Sequence, residues 1–242
     1  MRIPRFFCPE LDAGQRVLSL PESVHRHAIQ VLRLKQGALI QLFNGKGLEY
    51  QATLTHVERK RSEAELVEQL TQASESPLNI TLLQGISRGE RMDFAIQKAV
   101  ELGVNQIIPV MTERCNVQLK HDRIEKRLAH WQGVIVSACE QSGRAVLPTL
   151  SEVVDMQNAL NSTADTMKLV LDPQAQTRFN DLQAATQLTL LIGPEGGLTD
   201  DEVNMAKSSG FTAVQFGPRI LRTETASTAA LAVVQSLWGD LA

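Results

Sequence analysis

A chain of 242 residues, 43% hydrophobic and 21% charged, has the composition of a folded globular protein and is too apolar for disorder. Its length suits one large domain, or a small domain beside a medium one. No apolar run approaches the roughly 18 to 20 residues that span a bilayer. The start, Met1-Arg-Ile-Pro-Arg-Phe-Phe7, is too short and too soon interrupted for a secretory signal, so a cytoplasmic protein with no membrane partner is expected. Cys8, Cys115 and Cys139 are odd in number and contain no Cys-x-x-Cys pair, which argues against a disulfide framework and against a zinc site; no metal is expected.

The net charge of −3 alone disfavours a nucleic-acid partner, but its distribution is uneven. Residues 1–72 hold ten Lys/Arg against eight Asp/Glu (+2), and residues 73–242 hold fourteen against nineteen (−5). Basic charge on one module can bind phosphates within an acidic chain. The cluster Arg59-Lys-Arg61 fits that role, and equally fits a solvated hairpin tip.

In chain order, Pro21 to Leu34 carries apolar residues at Val24, Ala28, Val31 and Leu32, a helical stripe opened by proline. Leu39–Phe43 and Glu49–Val57 read as strands joined by the tight turn Asn44-Gly-Lys-Gly47. The segment 64–70 is placed to close a small sheet. Residues 1–72 are therefore expected to form a small β-barrel with one helix packed on it. The polar stretch Thr71–Pro77 is the candidate linker.

Residues 73–242 form the second expected domain, in which strands alternate with helices. Strands are expected near 80–86, 106–111, 168–172, 188–192 and 213–216. Helices are expected near 92–102, 123–142, 153–160, 200–208 and 224–237. Short Ile/Val/Leu-rich strands in this alternation predict an α/β domain with a mostly parallel sheet covered on both faces.

Ligands of open α/β sheets sit at the carboxyl ends of the strands, and three junctions there stand out. Leu190-Leu-Ile-Gly-Pro-Glu-Gly-Gly-Leu-Thr199 runs from a buried strand into a glycine-rich loop, and Thr199 with Glu202 forms a capping box. Gly217-Pro-Arg-Ile-Leu-Arg-Thr223 follows another strand, with Thr223 a candidate cap for the next helix and Arg219 and Arg222 in the loop. Ser87-Arg-Gly-Glu-Arg91 puts two arginines at a helix start, where the macrodipole disfavours them. Its helix ends at Gly103, a candidate C-cap. Each loop taken alone is equally compatible with a plain turn. Walker, dinucleotide, nucleophile-elbow and zinc-protease motifs are all absent, which favours a cofactor held by backbone amides over one gripped by its phosphates.

Taken together these loops resemble the SPOUT class of methyltransferases. With Met1–Arg5, Gln97–Gly103, Glu113-Arg-Cys115 and Ala138-Cys-Glu-Gln-Ser-Gly-Arg144, the chain is similar to the RsmE family over essentially its whole length. Ser142 stands where some relatives would have a second cysteine. The resemblance implies methylation of N3 of a uridine in the decoding region of 16S ribosomal RNA, on the small ribosomal subunit, with S-adenosylmethionine as cofactor. It also implies a PUA-like N-terminal barrel, a C-terminal trefoil knot and a homodimer. For cofactor binding it points to Leu171, Gly193, Pro194, Glu195, Gly196, Gly197, Gly217, Ile220 and Leu221.

For the reaction, Arg88, Arg222 and Arg144 are the candidates to stabilise charge on the uracil carbonyls, in that order. Glu140 and Glu224 are candidates to orient an arginine or accept the proton. Arg2, Arg5, Arg26, Arg33 and Lys35 are the expected RNA contacts. The rival readings are an RNA-binding ribosome-assembly factor without activity, and a SPOUT methyltransferase acting on another RNA.

Overall fold

The computed structural model describes residues 3–71, 75–115, 121–163 and 167–241. Arg2 and the middle of the 71–77 linker lie outside them. The chain divides into two compact units, one of residues 1–75 with 139–147 and the other of residues 76–138 with 148–242.

The first unit is a five-stranded sheet of β1 (Arg5–Phe7), β2 (Val17–Ser19), β3 (Leu39–Phe43), β4 (Glu49–Val57) and β5 (Ser62–Gln69), ordered β1-β3-β4-β5-β2. The β3–β4–β5 meander is antiparallel, and β1 joins it in parallel beside β3. Both hairpin strands lie where the alternating pattern predicts. Strands β1 and β2 were not expected, because three residues are too few to display a period of two. Among the described residues the sheet has β1 and β2 at its edges. The expected helix is present, but as α1 (Glu22–His25) continuing into a π-helical stretch, Arg26–Val31. It stops before Arg33, which takes a left-handed φ of 56°. Phe6, Cys8, Leu18, Val24, Ala28, Ile40, Leu42 and Leu54 make the core.

Residues 139–147 are tied into this unit by Arg5. Its Nη1 donates to the Cys139 carbonyl at 2.7 Å, and its Nε binds Glu49 at 2.8 Å. Phe7 N–H donates to Glu140, Leu147 N–H to the Gly45 carbonyl, and Glu75 pairs with Arg144.

The second unit is a parallel sheet of β6 (Asn79–Gly85), β7 (Gln106–Met111), β8 (Thr149–Leu150), β9 (Val154–Asp155), β10 (Met167–Leu171), β11 (Gln187–Ile192) and β12 (Thr212–Val214). The order is β12-β10-β11-β6-β7-β8, with β9 also on β7, and every pair is parallel. The central strand β6 is buried from Ile80 onward, as a strand covered on both faces must be. Helix α2 (Glu90–Glu101) packs against α6 (Thr223–Trp238). Helices α4 (Met156–Asn161) and α5 (Asp200–Ser208) contribute to a core with Leu83, Val110 and Leu191. The long α3 (His121–Ser142) carries residues of both units. The helix expected from residue 153 starts only at Met156, because Val154 and Asp155 extend along β7 and the Asp155 carboxylate caps Asn158 N–H. Gly103 lies one residue beyond the cap, at φ 80° after Leu102.

Candidate functional site

The carboxyl ends of β10 and β11 and the loop after β12 open on a cavity of about 660 Å³ in the second unit, within the range of small-molecule sites. Leu171, Gly193, Pro194, Glu195, Gly196, Gly197, Gly217, Ile220 and Leu221 all line it. Arg114, Asp172, Gln174, Phe216, Arg219 and Thr223 line it too. Two of these were legible only in part. Arg114 drew notice as part of a motif, and Thr223 as a cap.

The glycine-rich loop is held from several sides. Arg114 Nη1 donates to the carbonyls of Gly196 (3.1 Å) and Leu198 (3.3 Å). A Cβ on Gly196 would lie 2.9 Å from that of Arg114, so the glycine permits the clamp. The capping box is formed: Thr199 Oγ1 accepts from Glu202 N–H, and Glu202 Oε2 accepts from Thr199 N–H. Glu202 Oε1 accepts from Glu113 N–H as well, which fixes the 112–115 turn beside the loop.

Glu195 Oε1 accepts from Arg88 N–H at 2.7 Å and from Arg91 Nη1 at 3.3 Å. Partial burial pushes this carboxyl up, but the Arg88 and Glu195 N–H groups and the Arg91 guanidinium outweigh it, and the group sits below the ordinary carboxylate range. Its Oε2 is buried with no hydrogen-bond partner among the described residues. A buried acceptor beside a cavity is suited to a ligand that brings a donor. Arg91, which stands out in the sequence for its place at a helix start, is thus a partner of this loop. The side chain of Arg88 is exposed.

Thr223 is not the cap of α6; Arg222 holds that position. The Thr223 hydroxyl instead donates to the Gly193 carbonyl at 2.7 Å. Arg222 is exposed between the cavity residues Leu221 and Thr223. Glu224, in the first turn of α6, has a buried Oε2 without a partner among the described residues.

Three expected residues have other surroundings. Arg144 is 3% exposed and forms a close ion pair with Glu75, its Nη2 2.6 Å from Oε2, inside the first unit. A buried guanidinium held by a carboxylate is poorly placed to serve as a mobile electrophile. Glu140, in the same unit, accepts from Phe7 N–H; burial raises its carboxyl above the ordinary range, against that N–H, His27 and Arg5. Neither lines the cavity. Arg5 is 8% exposed and bound as described above, so it is a structural residue and no phosphate contact. Arg2 lies outside the described residues. Arg26, Arg33 and Lys35 are exposed.

The second unit is a parallel sheet with a pocket over its strand ends, and the first is a small mixed sheet with exposed basic residues. A family model described as an RNA methyltransferase domain matches residues 74–235, and one described as an RNA methyltransferase PUA domain matches residues 20–67. The class is therefore that of the RNA methyltransferases. A ribosomal RNA small subunit methyltransferase E from Buchnera aphidicola subsp. Schizaphis graminum is 35% identical, over 99% of this chain and 98% of its own. The crystal structure of a protein of that name from Neisseria gonorrhoeae, bound to S-adenosyl methionine, is 44% identical with a TM-score of 0.94, covering all of both chains. A methyltransferase structure from Legionella pneumophila, in complex with the bound cofactor SAM, is 37% identical with a TM-score of 0.96, again over all of both chains. The chain belongs to the ribosomal RNA small subunit methyltransferase E family.

Proposed function

We propose that this protein transfers the methyl group of S-adenosylmethionine to N3 of one uridine in the decoding region of 16S ribosomal RNA, with the small ribosomal subunit as substrate. One observation carries the cofactor part of the reading. Residues from three separate strand ends, singled out from sequence, line one cavity, with Gly193, Gly196, Gly197 and Gly217 among them. The kinship with small-subunit RNA methyltransferases supports the RNA. Homodimerisation, a cytoplasmic location and a trefoil knot belong to the same reading. No helix of the described residues is long and apolar enough to cross a membrane.

S-adenosylmethionine supplies an electrophilic methyl group on a sulfonium. The chain's part is to hold it with Gly193–Gly197, Gly217, Ile220, Leu221 and Leu171, and to offer Glu195 Oε2 to a donor on it. Orientation of the reacting atoms is worth several orders of magnitude in rate. N3 lies on the pairing edge of uracil, so the base must leave its stack, at a cost of about a few kcal/mol. As N3 loses its proton, negative charge spreads onto the flanking carbonyl oxygens, and a guanidinium placed there lowers the barrier. Arg88 and Arg222 are the assigned donors, and Glu224 is the assigned proton acceptor. Arg26, Arg33 and Lys35 contact RNA phosphates.

The deciding experiment incubates the protein with methyl-labelled S-adenosylmethionine and small subunits from cells lacking the modification, then identifies the labelled nucleoside by mass spectrometry. Labelled 3-methyluridine at a single decoding-region position is expected. Label on another nucleoside, or at another site, would sink the reading.

A further inference from the structure

Gln84 is an anomaly in its strand. It sits near the carboxyl end of β6, fully buried, among Leu82, Leu83 and Ile86, which are fully buried as well. A buried amide costs stability unless its groups are bonded, and here they are. Nε2 donates to the Gly85 carbonyl (3.1 Å) and to Thr223 Oγ1 (3.1 Å), while Oε1 accepts from Ser227 Oγ (2.6 Å). Ser227, also fully buried, lies one helical turn beyond Thr223 on α6.

The order of donors has a consequence. A threonine hydroxyl has one proton. Because Gln84 Nε2 can only donate, it occupies a lone pair of Thr223 Oγ1 and leaves that proton for the Gly193 carbonyl, 2.7 Å away. Gly193 opens the glycine-rich loop and lines the cavity. The same peptide is pressed against Gly85, whose Cβ would lie 2.6 Å from Pro194 N and 2.8 Å from Gly193 C. A neighbouring glycine thus fixes the peptide's height over the strand, and the hydroxyl fixes its carbonyl.

We infer that Gln84 is a positioning residue for the cofactor loop, acting through Thr223 by setting the direction of its hydroxyl, with Ser227 locking the amide. The inference rests on the cavity being the S-adenosylmethionine site. Gln84 and Ser227 lie outside the cavity lining, so their effect falls on cofactor affinity more than on the chemical step.

The test measures S-adenosylmethionine binding by calorimetry, and KM and kcat on small subunits, for the full chain and its variants. Thr223→Val keeps the shape and removes the hydroxyl. It should weaken cofactor binding about tenfold, the scale of one lost hydrogen bond, with a smaller change in kcat at saturating cofactor. Thr223→Ser should recover binding to within about twofold. Gln84→Met should weaken binding similarly in the native background and add little when combined with Thr223→Val, since coupled groups are not additive. Should Gln84→Met fail to fold, the Thr223 pair decides alone. Wild-type binding with Thr223→Val unchanged, or a serine variant no better than valine, overturns the positioning role. A wild-type chain that does not bind the cofactor overturns the functional reading, and this inference with it.

Discussion

Arg5 and Arg26 belong to the same unit and carry the same charge, yet a substitution at the one's partner and a substitution of the other should differ widely in cost. Arg5 is buried against Glu49, whose side chain is equally inaccessible. Removing one partner of such a pair strands a buried charge, so Glu49→Ala should cost about 3–5 kcal/mol in urea denaturation. Arg26 is exposed, and Arg26→Ala should change stability by no more than about 0.5 kcal/mol. Sequence could not separate the two, because burial of an arginine is decided by residues far along the chain. Glu140 gives a signed pH effect. Its carboxyl is raised in the folded state, chiefly by burial. The native protein therefore holds a proton that the unfolded chain has released, and stability from this group is full below the ordinary carboxylate range and lost as pH rises through the raised value. Glu140→Gln should gain on the wild type as pH rises above the ordinary carboxylate range, in parallel urea titrations. Cys8 is pushed up to about 12 by burial, then by Glu10 and Glu140, and Cys139 to about 11, chiefly by burial. Neither should alkylate in the native state, whereas both should react in denaturant; mass mapping of iodoacetamide adducts would tell.

At the level of elements, regular structure was legible wherever a segment was long enough to show a period. Strands β3, β4 and β7, and α5, match the pattern to the residue, and the Thr199–Glu202 capping box is formed. Among strands of two or three residues, β12 was legible near 213–216, whereas β1, β2, β8 and β9 were not. The loops were readable as places but not as mechanisms. The need of Gly85 for hydrogen in place of a side chain comes from the Gly193–Pro194 peptide crossing it, which no local pattern announces. Gly85→Ala forces backbone against backbone, where little can yield. We expect it to abolish measurable cofactor binding and to lower the melting temperature, while Gly89→Ala, whose Cβ meets nothing within 4 Å but whose φ is 58°, should show the smaller cost of strain alone. Equal melting temperatures for the two variants would contradict the crossing.

For the whole molecule, charge asymmetry between the segments was visible in the sequence, and the exposed Arg26, Arg33 and Lys35 keep it on the surface. Replacing all three by alanine should reduce the slope of log affinity against log salt by about 2 for single-stranded RNA, at roughly 0.7 per phosphate contact. Cofactor affinity, measured alongside, should not move. An unchanged slope would remove these residues from the RNA interface. Alternation of strands and helices predicts the parallel sheet correctly, but periodicity carries no information about threading, so a knot enters only through kinship. Nor did composition reveal that residues 139–147 group with the first unit. Their ties run through Arg5, Gly45 and Glu75, each innocuous in sequence.

That discontinuity bears on how the protein is made. A ribosome has already released all five strands of the first sheet by residue 69, but the segment that meets Arg5 and Glu75 ends only at residue 147. At synthesis rates of about 5–20 residues per second, the newborn sheet waits several seconds with the Arg5 guanidinium short of its carbonyl acceptors and the Glu75 carboxylate without its arginine. Nascent chains stalled once residue 75 has cleared the exit tunnel should accordingly be cleaved by protease far more readily than chains stalled once residue 147 has cleared it.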